Sequence, residues 1–105
     1  MDLTKKKCKP CENGIPLDSS EIKKYLNEVN DWRLVNGKIE KEFKFKNFKL
    51  ALDFVNKVGD IAEKEGHHPD ILIYGYRNVR LSLFTHNING LSENDFILAS
   101  KIDKL

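Results

Sequence analysis

The hydrophobic residues of this chain change period once, near its middle, and that change restricts the fold more than any other feature. From Lys38 the residues alternate, with Ile39, Phe43 and Phe45 on one side and Lys38, Glu40, Glu42 and Lys44 on the other. A period of two describes a strand with one buried and one wet face, as in an antiparallel sheet covered on a single side. At Asn47, a good helix N-cap, the period becomes helical. Phe48, Ala51, Leu52, Val55, Val58 and Ala62 form a stripe that runs to Gly66, a residue suited to a left-handed C-cap. Leu50, Phe54 and Ile61 add a second stripe, which predicts a subunit contact beyond the sheet.

The same reading extends to both sides. Asp18 and Glu21 have capping-box spacing, and Ile22, Tyr25, Leu26 and Val29 predict a short first helix ending near Asn30 and Asp31. Trp32 to Val35 reads as a strand, and Asn36–Gly37 behind it is a strong two-residue hairpin signal. Asp70 to Tyr76 and Asn78 to Thr85 read as a second hairpin, followed by a loop from Asn87 to Leu91. Ser92 and Asp95 form another capping pair, ahead of a helix with Phe96, Leu98, Ala99, Ile102 and Leu105. The order is α-β-β-α-β-β-α. Short hairpins and one-sided patterns predict an α+β two-layer sandwich, a four-stranded antiparallel sheet with three helices on one face. Residues 1–17 lack periodicity and are expected to form an extended N-terminal arm; residues 18–105 form one domain.

Bulk properties exclude several functions. A net charge of +2, with lysines interleaved among acids, argues against nucleic acid. No apolar run approaches the roughly 20 residues that span a bilayer. The basic N-terminus has no apolar stretch behind it, so it is not a secretory signal, and the expected location is cytoplasmic. Cys8 and Cys11 form a lone C-x-x-C without the second pair of a four-thiolate zinc site. They are expected to be reduced thiols in a mobile tail, with a shared zinc as the alternative.

The chain has three histidines, and they bracket one hairpin. His67 and His68 precede its first strand, and His86 follows its second. Paired strands would bring all three to one end of the sheet. Imidazole gives or takes a proton near neutral pH, which suits general acid–base catalysis. Adjacent histidines on a solvated loop are the plain alternative. Metal ligation is a third reading, although neighbouring side chains diverge on an extended backbone. No serine has a nucleophile-elbow setting.

The run EKEGHHPD from Glu63 to Asp70, the pair Thr85–His86 and the run GLSEND from Gly90 to Asp95 resemble the signature of the pterin-4a-carbinolamine dehydratases. That family is also known as the dimerisation cofactor of a homeodomain transcription factor. The resemblance extends to the Trp32 strand, to FKFKNF at Phe43 to Phe48, to FILASKID at Phe96 to Asp103 and to the KCKPC arm at Lys7 to Cys11. It implies the sandwich above, assembled as dimers or tetramers. It also implies dehydration of 4a-hydroxytetrahydrobiopterin to the quinonoid dihydropterin, in pterin recycling for aromatic amino-acid hydroxylases, without metal or organic cofactor. His67 would be the acid–base group that helps expel the 4a-hydroxyl, His86 the second, and His68 would hold and polarise the substrate. Gly66, Pro69, Phe84, Thr85 and Asn87 would line the pterin site with the three histidines. Glu63 and Asp95 would support it, Glu63 by orienting an imidazole and Asp95 chiefly as a helix cap. Ile71 stands where many members carry an aromatic residue, so stacking is expected from Tyr74, Tyr76 or Phe84, or is absent. The implied partners are the pterin, further copies of the chain and, in addition, a hydroxylase or a helical regulatory partner.

Overall fold

The computed structural model describes residues 2–9 and 14–105. These form three α-helices, α1 (Ser19–Leu26), α2 (Phe48–Glu65) and α3 (Glu93–Ile102), and four strands, β1 (Arg33–Val35), β2 (Lys38–Lys44), β3 (Asp70–Tyr74) and β4 (Asn78–Leu83). The strands make one antiparallel sheet in the order β1-β2-β4-β3. The α+β sandwich expected from the two periods is present, and the arrangement follows from them. Ile39, Val79, Leu81 and Leu83 point to one side of the sheet and are fully buried, as are Ala51 and Val58 of α2. Their alternating neighbours, Glu40, Glu42, Arg80 and Ser82, make ion pairs and hydrogen bonds across the other face.

Local chemistry sets the element boundaries. Asp18 accepts from the Glu21 N–H at 2.8 Å while Glu21 accepts from the Asp18 N–H at 3.1 Å, closing the capping box of α1. Asn36 and Gly37 both have positive φ, 50° and 79°, the twist of a tight two-residue hairpin. Strand β3 stops at Tyr74, two residues earlier than its composition predicts. Gly75 and Tyr76 both turn left-handed, at φ 54° and 53°, and a strand cannot continue through them. Likewise β4 ends at Leu83 rather than Thr85, because residues His86–Ile88 form a 3-10 turn.

Two features depart further from expectation. Helix α3 is buried on nearly all sides, with Phe96, Ile97, Leu98, Ala99 and Ile102 all almost inaccessible. The N-terminal stretch supplies the missing cover. Residues Leu3–Lys5 form a 3-10 turn packed on α3, and Leu3 is only 2% exposed. Residues 2–9 are therefore part of the packed structure and not a free arm.

The second feature is Lys41, a cation on the buried side of β2. Its Nζ lies 2.9 Å from Asp103 at the end of α3, and the two side chains are 15% and 5% exposed. Asp103 also accepts from Trp32 Nε1 at 3.0 Å and from the Asn30 N–H at 2.9 Å. One carboxylate thus ties the entry to β1, the middle of β2 and the end of α3. Removing one partner of a buried, hydrogen-bonded ion pair leaves the other uncompensated, which typically costs about 3–5 kcal/mol. Asp103→Ala is expected to lower unfolding stability by about 3 kcal/mol in a denaturant titration followed by Trp32 fluorescence; a loss below about 1 kcal/mol would show the cluster to be incidental.

Candidate active site

The site begins where α2 ends. Gly66 adopts φ 65°, and the N–H groups of Gly66 and His67 both return to the Ala62 carbonyl. This left-handed stop turns His67, His68 and Pro69 out of the helix and into β3 at Asp70. The side chains of the two histidines part. His67 is 12% exposed and its Nε2 lies 2.6 Å from Asp95 Oδ1. His68 faces solvent, with Nε2 2.5 Å from Glu63 Oε2. The orienting role suggested for Glu63 thus falls on His68.

Asp95 does more than cap a helix. It is completely buried, and its Oδ2 accepts from the Ser92 N–H at 3.0 Å and from Thr85 Oγ1 at 2.8 Å. Thr85 has one proton and gives it to Asp95, so the 2.8 Å contact with Ser92 Oγ is donated by Ser92. A carboxylate offers only acceptors, which makes His67 the donor through Nε2–H. Asp95 combines the capping role expected from sequence with an imidazole contact. The Thr85 hydroxyl, expected to line a ligand site, is turned inward and 5% exposed.

His86 comes next. Asp70 pairs with Ser82, so the start of β3 and the end of β4 lie at the same end of the sheet, as the topology predicted. Thr85 makes an isolated bridge to Gly90, closing a loop that presents His86 and Asn87 outward. The loop requires glycine, because a Cβ at Gly90 would approach Pro16 Cβ to 2.7 Å. The His86 ring lies edge-to-face on Phe84 with centroids 5.1 Å apart. Lys38 of β2, which sequence reasoning did not single out, places Nζ 5.7 Å from the Phe84 centroid and 3.9 Å from Asp70. Of the three aromatics considered for stacking, Phe84 is the one at the histidines. Tyr74 pairs with Asn78 at the opposite end of the hairpin, and Tyr76 lies in its turn. Among the described residues, no three His, Cys, Asp or Glu side chains converge to hold a metal ion. No helix among them is long and apolar enough to cross a membrane.

Comparisons with known proteins identify the family and the fold. A family model described as Pterin 4 alpha carbinolamine dehydratase matches residues 15–105. A protein of Alkaliphilus metalliredigens is 52% identical, over 98% of this chain and 95% of its own length. One of Methylococcus capsulatus is 51% identical, over 98% and 92%. Both carry the provisional name pterin-4-alpha-carbinolamine dehydratase. A crystal structure of a transcriptional coactivator/pterin dehydratase from Brucella melitensis superposes with a TM-score of 0.80 at 34% identity, covering 85% of this chain and 96% of that one. A pterin dehydratase-like RuBisCO assembly factor of the alpha-carboxysome shares the fold, with a TM-score of 0.61 at 22% identity.

Cys8 lies ahead of the matched stretch, and Cys11 falls outside the described residues. Cys8 is half-buried and its Sγ–H donates to the Asn94 carbonyl at 3.6 Å. Burial, reinforced by the nearby Glu65 carboxylate, pushes its thiol up to about 12. A reactive redox cysteine needs the opposite shift. At pH 8, alkylation of Cys8 by iodoacetamide, followed by mass spectrometry of its peptide, is expected to run at least about 100-fold slower than for a free thiol, whose pKa is about 8.5. A rate near that of the free thiol would contradict the burial.

Proposed function

The chain belongs to the pterin 4 alpha carbinolamine dehydratase family, and we propose that this hydro-lyase dehydrates 4a-hydroxytetrahydrobiopterin to the quinonoid dihydropterin, with His67 and His86 carrying the protons. The bond that breaks joins C4a to its hydroxyl oxygen. The electron pair of the N5–H bond becomes the C4a–N5 double bond, and the N5 proton and the hydroxyl leave as water in sum. Hydroxide is a poor leaving group, so protonation of the departing oxygen is where a protein can act.

The observation that carries this reading is the buried Asp95 carboxylate against His67 Nε2. It fixes the tautomer, so that Nδ1 is the nitrogen that exchanges protons with substrate. It also stabilises the imidazolium that exists while Nδ1 holds a proton, as the acid does for the imidazole of a hydrolase triad. His67 is assigned to the 4a-hydroxyl. His86, on the exposed loop beside Phe84, is assigned to the N5 proton. His68, held by Glu63, positions and polarises the ring. Gly66 and Pro69 shape the backbone around the pair, and Phe84 and Asn87 complete the wall.

The same reading includes a homo-oligomer and a place in pterin recycling for aromatic amino-acid hydroxylases. Support for self-association comes from apolar side chains that α2 leaves exposed on two faces, Phe48 and Leu52 on one (49% and 38% exposed) and Leu50 on the other (43%). With Phe45, Phe54 and Leu105, Leu50 borders a concavity of about 250 Å³. Edge strand β3 adds Ile71 and Leu72, also exposed.

The test follows loss of freshly generated 4a-hydroxytetrahydropterin. Wild type is expected to exceed the spontaneous rate, and His67→Ala and His86→Ala each to lose on the order of 100-fold of the catalysed rate. A wild-type rate equal to the spontaneous one would sink the enzymatic reading. Sedimentation velocity is expected to give a dimer or larger for wild type and a smaller species for Leu50→Glu. A monomeric wild type would remove the oligomer from the proposal.

A further inference from the structure

The first turn of α3 faces two ways. Asp95 points to His67, whereas Glu93 and Asn94 point to the N-terminal stretch. Asn94 is 7% exposed and grips the main chain of Lys9 from both sides, its Oδ1 accepting from the Lys9 N–H at 2.9 Å and its Nδ2 donating to the Lys9 carbonyl at 2.5 Å. Glu93 accepts from Lys6 Nζ at 2.9 Å and from the Tyr25 hydroxyl at 2.8 Å.

The same stretch is also fastened to the end of α2. The Cys8 N–H donates to Glu65 Oε1 at 2.9 Å, and the other oxygen of Glu65 accepts from Lys101 Nζ of α3 at 2.9 Å. The Glu65 side chain is only 5% exposed. These donors, Lys101 first and the Cys8 N–H second, hold its carboxyl below the usual carboxylate range. Glu65 is the last residue of α2, two before His67, and Asn94 is the residue before Asp95.

We propose that residues 2–9 are a strap that sets the spacing between the end of α2 and the start of α3, with Glu65 and Asn94 as positioning residues for the His67–Asp95 pair. Main-chain groups of two successive residues, Cys8 and Lys9, bridge the two side chains that flank the pair. A hydrogen bond of 2.6 Å tolerates little displacement of either backbone. Loosening the strap lets His67 and Asp95 part, so the imidazole loses its fixed tautomer while the exposed substrate groups stay in place. The kinetic expectation rests on the dehydratase reading. The geometric one does not.

The experiment therefore has two readouts on full-length protein and its variants. Proton NMR detects the strongly hydrogen-bonded imidazole proton of His67 as a downfield resonance, assigned by its loss in Asp95→Asn. The variants are deletion of residues 2–9, Asn94→Ala, Glu65→Ala and Glu65→Gln, each checked for folding by circular dichroism. The deletion, Asn94→Ala and Glu65→Ala are expected to lose or broaden the resonance and to lower kcat about 10-fold with KM within about twofold, one tenfold step being about 1.4 kcal/mol of barrier. Glu65→Gln, which keeps an acceptor for the Cys8 N–H, is expected to retain most of both. A folded Asn94→Ala protein with the resonance unchanged overturns the proposal, whatever its activity; so does absence of the resonance from wild type. Should the deletion fail to fold because Leu3 leaves the core, the point variants decide. A wild type without dehydratase activity removes the proposed function, and the resonance still decides the strap.

Discussion

Asp95 is a carboxylate with no access to water, and its lone pairs must be met from within the protein. Uncompensated, such a charge costs several kcal/mol. Three donors meet it, and each comes from a different junction of the fold: His67 from the exit of α2, Thr85 from the exit of β4 and Ser92 from the entry to α3. Satisfying one buried charge therefore fixes how three segments meet. It also holds an imidazole by its Nε2. The joint that holds the architecture and the group assigned to ready His67 in the proposed reaction are the same atoms.

A second buried carboxylate, Asp103, does comparable work at the far end of α3, where it gathers Asn30, Trp32 and Lys41. Between these two anchors α3 is apolar apart from Ser100 and Lys101 and is buried on nearly all sides, which requires a helix enclosed by its neighbours. The sheet, α1 and α2 enclose most of it. The turn at Leu3–Lys5 encloses the rest. A sandwich of two layers thus has, over α3, a partial third layer made from the chain's beginning.

The elements that announce themselves in the sequence are those whose contacts repeat with the backbone period. The alternation of β2, the stripe of α2, the capping box of α1 and the Asn36–Gly37 turn were all readable, because each depends on neighbours a few residues away. The N-terminal stretch was not. Its fastening uses the peptide groups of Cys8 and Lys9, which leave no mark in residue type, and partners in Glu65 and Asn94 that are distant in sequence. Lys41 was hidden for a related reason: a cation in a buried register makes sense only once Asp103 is seen opposite. In the site, the family motifs named residues that the fold brings to one end of the sheet, but not how their side chains pair. Asp95 fits a capping pair so well that spacing alone could not reveal the imidazole on its other oxygen, and Thr85 sits in the motif while its hydroxyl turns inward. Glu63 and His68, a turn apart, found each other as their proximity allowed.

The strand order β1-β2-β4-β3 has a consequence for the time course of folding. Each hairpin closes locally, and such closure takes about 1–10 μs in isolated hairpins. The central pairing is different, since β2 meets β4 only after the whole of α2 and β3 has been gathered between them. Non-local joining of this kind is the entropically costly part of assembly. Closing the second hairpin is enough to bring the start of β3 and the end of β4, and with them His67 and His86, to the same end. The carboxylate that meets His67 lies on α3, the last of the α-helices, so the pair forms only when segments 28 residues apart are brought together. The contact proposed to ready His67 therefore belongs to the long-range part of the assembly and to neither hairpin.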